Sequence, residues 1–151
     1  MKKVLFVASS LLMIGQVQAG PITPCTKANL VGSYVMYQAA INHHNHMGRC
    51  TVDVDNTGYL SGSCEFGHDA NGNPGFNGPV YGSAAINTNC SATASISFDP
   101  VPGVVHIDST FNLQFSPDKE NFVGNFTNTF GVEGITNGTR YSKALPATPA
   151  P

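Results

Sequence analysis

The chain has 151 residues, a formal net charge of −2 and only 11% charged side chains. Its length allows one domain that buries roughly two-thirds of its unfolded surface. Its few, scattered Lys and Arg residues exclude a nucleic-acid partner and an anionic membrane surface, and nothing beyond residue 19 is apolar enough for membrane insertion.

At the N-terminus, Lys2 and Lys3 precede an apolar run from Val4 to Ile14 and a small-residue cleavage signal, Val17-Gln18-Ala19. This pattern predicts a bacterial secretory signal peptide over 1–19, with a secreted or periplasmic product. A single β-domain over 20–143 follows, then a Pro/Ala-rich tail over 144–151 expected to be disordered. Loss of Lys2 and Lys3 leaves five basic residues against nine acidic ones, a formal charge of −4. The surface is therefore solvated by Ser, Thr, Asn and Gly. Export permits disulfides, and Cys25, Cys50, Cys64 and Cys90 are too far apart for a C-x-x-C metal cluster, so they predict two bridges.

The mature chain alternates with a period of two and shows no helical period. Eight strands are predicted: 31–41, 49–55, 59–66, 78–86, 90–98, 104–115, 121–129 and 135–142. Between the second and third, Asn56-Thr57-Gly58 forms a three-residue turn with Gly58 free to take positive φ. Pairing about Thr57 sets Val54 against Leu60, Val52 against Gly62 and Cys50 against Cys64. Directly opposed cysteines are within bridging distance, which gives Cys50–Cys64 and, by elimination, Cys25–Cys90. A similar turn, Asn87-Thr88-Asn89, sets Ile86 against Cys90 and Ala84 against Ala92. Eight hairpin-linked strands close most simply into an antiparallel up-and-down meander barrel; a β-sandwich is the alternative.

The inward faces mix small and large residues. Gly62, Gly82, Ala84, Ala92, Ala94 and Gly124 are small, while Phe111, Leu113, Phe115, Phe122, Phe126 and Phe130 are large. Large against small can fill an eight-stranded lumen or leave room for one small ligand. The second case makes Phe111, Leu113, Phe115, Phe122 and Phe126 the lumen's ligand-binding residues.

Leu30-Val31-Gly32-Ser33-Tyr34 on the first strand and Arg140 on the last resemble the calycin superfamily, the lipocalin and avidin type of barrel. There a G-x-W motif opens the first strand and a basic residue on the last packs near it. Tyr34 stands in place of the Trp, and the chain has no Trp at all. The resemblance implies a ligand- or partner-binding barrel. Export, disulfides and barrel shape are also similar to small periplasmic lysozyme inhibitors, but their inhibitory motifs are not matched here.

In a meander barrel the connections after odd strands share one end, and these are the polar ones: 42–48, 67–77, 99–103 and 130–134. All five histidines map there: His43, His44 and His46 in the first, His68 in the second, His106 beside the third. His44-x-His46 with His43, His68 or Asp69 forms a candidate zinc-type ligand set, with an ordinary solvated loop as the alternative. The run from Asp69 to Asn73 begins like a calcium loop, but position twelve falls on Val80 and the closing Glu is missing. No G-x-S-x-G, H-E-x-x-H or phosphate loop is present, and two disulfides leave no thiol nucleophile. His106 and Asp108 share an outward face and could orient a base. The leading expectation is an exported, non-catalytic binding protein with no catalytic residues. It would take a small apolar ligand in the lumen or a protein partner at the loop-rich end. The alternatives are a metal-dependent enzyme or metal-binding protein using the His cluster, and a secreted inhibitor or host-directed effector.

Overall fold

The computed structural model describes residues 23–42, 45–68, 72 and 75–145. The expected signal peptide and all but the first two residues of the tail lie outside them. A short 3-10 helix, Lys27–Asn29, precedes eight strands: β1 Gly32–Ala40, β2 Met47–Val54, β3 Tyr59–Phe66, β4 Phe76–Ile86, β5 Ser91–Val101, β6 Val105–Phe115, β7 Asn121–Asn128 and β8 Glu133–Ser142. Each strand pairs antiparallel with the next, and β8 returns to β1, closing the barrel. Closure removes every exposed edge, which a charge-poor chain has few other means to protect. No helix among the described residues is long and apolar enough to cross a membrane.

Period-two alternation assigns the faces. On β1, Tyr34, Met36, Gln38 and Ala40 are buried, while Tyr37 between them is exposed. On β5, Ala92, Ala94, Ile96 and Phe98 are buried. Cys50 and Cys64 are directly paired with Cα atoms 4.0 Å apart, and both are buried in the barrel core. Val54 faces Leu60 and Val52 faces Gly62, the register derived from the turn at Gly58.

Tight turns of one design recur at positions 55–59, 87–91 and 128–132. The first residue's N–H donates to the carbonyl of the fifth, and its own carbonyl accepts from the N–H of the fourth, which has positive φ. Asp55, Asn87 and Asn128 open them, the short polar residues that favour the first position of a type I turn. Asp55 Oδ1 accepts from the N–H groups of Thr57 and Tyr59, and Asn128 Oδ1 from those of Phe130 and Val132. Gly58 and Gly131 take the positive φ without steric cost, but at 87–91 Cys90 takes it, at 64°.

That cysteine corrects the second predicted register. Ile86 pairs with Ala92 and Ala84 with Ala94, not with Cys90 and Ala92. The loop residues are Thr88, Asn89 and Cys90, and β5 starts only at Ser91. Without a glycine to mark the left-handed position, the sequence pattern places this turn one residue early. Inward and outward faces survive, because the pairing moves by two.

The N-terminal segment closes the end carrying the turns after β2, β4 and β6. Cys25 bonds to Cys90, and its N–H donates to Thr88 O at 3.0 Å. Leu30 is buried beneath it. Tyr34, Phe115 and Phe122 meet with ring centroids 5.4–6.2 Å apart, and Phe111 stacks on Phe126 at 5.5 Å. This half of the lumen is filled by side chains.

Candidate functional site

The opposite end opens into a cavity of about 600 Å³, within the range of small-molecule sites. One wall is aromatic. Phe66 lies 5.8 Å from Phe76 and 5.4 Å from Phe98, and Phe76 lies 4.7 Å from Phe98, centroid to centroid. Gly48, opposite Phe66 on β2, makes room for this wall: a Cβ there would overlap the Phe66 ring. Ile107, Val132 and Phe130 continue the apolar lining, with Gln38, Ser109 and Asn128 as polar members. Among the described residues the lining contains no Lys, Arg, Asp or Glu, and His46 is its one titratable side chain.

The rim is braced on one side. Asn42 Nδ2 donates to Gly131 O at 3.0 Å, and Asn42 Oδ1 accepts from Glu133 N–H at 2.6 Å. This ties the end of β1 to the turn before β8. A second brace comes from β5 and β6, which extend past a bulge to Val101 and Val105. The connection predicted as a loop over 99–103 is therefore mostly strand.

The five predicted lumen residues all belong to the core: Phe111, Phe115, Phe122 and Phe126 are buried and Leu113 is partly so. None of them lines the cavity. They fill the barrel beneath it. The lining aromatics are Phe66, Phe76, Phe98 and Phe130 instead, and Phe130, predicted inward, is 59% exposed on the rim. The signal that finds them is position: inward residues next to the odd-numbered connections.

His46, His68 and His106 lie at the open end, as the topology requires. His43, His44 and Asp69 lie outside the described residues. His46 lines the cavity with its ring 5.6 Å from Phe66, His68 is exposed past β3, and His106 faces outward. Among the described residues no three His, Cys, Asp or Glu side chains form a group that could hold a metal ion.

On the outer wall His106 is held between two carboxylates, Nδ1 at 2.7 Å from Asp99 and Nε2 at 3.1 Å from Asp108. The hydrogen bond to Asp99 leads in raising the His106 pKa above its ordinary value, with Asp108 adding to it. Ser97 Oγ donates to Asp108 at 2.5 Å, which pulls that carboxyl below the usual range. The order Ser97–Asp108–His106–Asp99 does not make a nucleophile. Asp108 stands between the hydroxyl and the imidazole, so His106 has no line to the Ser97 proton.

At the closed end Arg140 lies over the Tyr34 ring at 6.0 Å, the neighbourhood the first- and last-strand residues implied. Its Nη1 donates to Asn29 O at 2.9 Å and Val31 O at 3.3 Å, and Nε donates to Glu120 Oε2 at 3.0 Å. Tyr34 Oη donates to Leu30 O at 2.9 Å. Gly32, at φ +139°, sits where a Cβ would press on Arg140 Cδ at 2.9 Å. Tyr34 thus anchors the plug without an indole, and burial raises its pKa against the opposing pull of Arg140.

No protein-family profile and no curated protein sequence matches the chain. Similar solved structures include designed barrels. They include a redesigned β-barrel, mFAP1, bound to DFHBI (16% identity, TM-score 0.51, 76% of this chain and 96% of that one). A de novo designed fluorescence-activating β-barrel is 13% identical with a TM-score of 0.50, covering 73% of this chain and 92% of that one. The redesigned mFAP0, bound to DFHBI, is 12% identical with a TM-score of 0.51, covering 74% and 99%. These likenesses establish the fold.

Proposed function

We propose that this protein is an exported, non-catalytic binding protein that takes one small, largely apolar molecule in the mouth of its barrel. The observation that carries the reading is the cavity itself: about 600 Å³, open at one end, walled by Phe66, Phe76 and Phe98 and with no Lys, Arg, Asp or Glu among its described lining residues. The filled lower barrel, with Phe111 and Phe126 in it, supplies the rigid base. Two disulfides belong to an oxidising compartment, which agrees with the leader over 1–19. The Arg140–Tyr34 contact supports a calycin-like arrangement, and mFAP1 and mFAP0 provide examples of barrels with small ligands bound.

Titration with the neutral probe N-phenyl-1-naphthylamine tests the reading. The probe should bind one per barrel with enhanced, blue-shifted emission. Ile107→Arg, which puts a charge into the cavity, should abolish binding, while Tyr37→Arg on the outer wall should leave it intact. Equal loss or equal retention in the two folded variants would move the site elsewhere.

A further inference from the structure

Gln38 is 8% exposed and sits on the inward face of β1 between Gly48 of β2 and Thr136 of β8. Glycine on one side leaves it no polar neighbour there. On the other side Thr136 Oγ1 is committed to Tyr37 O at 2.9 Å. Gln38 lines the cavity, yet its Oε1 is a buried acceptor with no hydrogen-bond partner among the described residues. Buried polar atoms are nearly always paired, and an unpaired acceptor is a standing cost. The terminal amide torsion of Gln is soft, so a small rotation presents Oε1 to the cavity. Ser109, also buried, lines the same space from β6.

From this placement we infer that Gln38 is the polar anchor of the site, and that the ligand is a neutral, planar aromatic molecule with one O–H or N–H donor. The inference rests on the binding reading above and narrows it to a chemical class. Planarity follows from the wall of Phe66, Phe76 and Phe98, against which a flat ring system stacks. Neutrality follows from the described lining residues, which offer no Lys, Arg, Asp or Glu to pair with a buried charge. The donor follows from Gln38 Oε1.

Three naphthalenes of one size separate these features: 2-naphthol, its methyl ether and 2-naphthoate. Equilibrium dialysis at pH 7 against the intact protein should show 2-naphthol binding about tenfold more tightly than the ether, the worth of one hydrogen bond to a buried acceptor. The naphthoate should bind more weakly than either. In Gln38→Leu the naphthol advantage should vanish, chiefly through lost naphthol affinity; Gln38→Met, closer in shape, serves if the first variant does not fold. Equal binding of naphthol and ether by the native protein, or an advantage that survives removal of Gln38, would overturn the anchor. Naphthoate binding as tight as naphthol would overturn the neutral class. If none of the three binds while the donor-free probe 6-propionyl-2-(dimethylamino)naphthalene does, the ligand class is wrong and the cavity reading stands. If that probe and N-phenyl-1-naphthylamine both fail as well, the binding reading itself falls.

Discussion

Arg140 carries a full charge into a site where only 5% of its side chain is exposed, and it uses the donors of its fork there. Two carbonyls of the plug and the carboxylate of Glu120 receive them, and Lys143 Nζ adds a second cation 2.9 Å from Glu120 Oε1. Arg140→Met frees those carbonyls and should lower stability by about 3 kcal/mol, read as a shifted denaturation midpoint. The hydrogen bond from Arg140, then that from Lys143, brings the Glu120 carboxyl down to about 2. A lowered carboxylate pKa stabilises the fold above the unfolded value and loses that contribution as pH falls from about 4.5 towards 2. Melting curves through this window should fall less steeply in Glu120→Gln. His106 runs in the opposite direction. Its raised pKa favours the imidazolium, so its contribution is complete below the unfolded value, about 6.5, and is lost as pH rises through the higher folded value. An NMR titration of the His106 ring should give a midpoint above 6.5, and Asp99→Asn should move it down; an unshifted midpoint in that variant would remove Asp99 as the cause.

The elements show how far alternation and turn chemistry reach. Period-two patterning located all eight strands within a few residues because one face is buried along the whole barrel. The hairpin at Gly58 gave Cys50 opposite Cys64 directly, since the turn residue and the register are coupled. The hairpin at Cys90 was not legible, because a cysteine in the left-handed region carries no turn signature of its own. Its bridge to Cys25 accompanies that conformation and closes a separation of 65 residues, against 14 for Cys50–Cys64. By loop-closure entropy the longer bridge contributes about 4 kcal/mol and the shorter about 3. Removing Cys25 and Cys90 together as alanines should therefore shift the denaturant midpoint strongly and free the plug over Leu30. An unchanged midpoint would show that the plug holds without its covalent tie. Strand extension was the other illegible feature: a bulge between Phe98 and Val101 carries β5 and β6 upward and turns an expected loop into part of the rim.

Over the whole molecule the two ends do different work. One is plugged by the 3-10 helix, Leu30 and the Tyr34–Phe115–Phe122 cluster; the other is open and aromatic. The sequence located the loop-rich end through topology. It could not distinguish inward residues that pack from inward residues that line, because alternation records the face and not the height along the barrel. Phe111 and Phe98 look alike in the sequence, yet one is stacked in the filled half and the other walls the cavity. Gln38 carries no signal in the sequence for a related reason: one polar residue on an apolar face looks like an interruption until its surroundings are known.

The central claim, that a small molecule enters the mouth of the barrel, is tested most directly by following isoleucine methyl groups by NMR during a titration with N-phenyl-1-naphthylamine. Ile107 lines the cavity, Ile86 sits beside the turn at the plugged end, and Ile135 is 57% exposed on the outer wall. The account predicts a saturable shift of the Ile107 methyl with Ile86 and Ile135 unmoved. Shifts at Ile135 or Ile86 with Ile107 unmoved would contradict it.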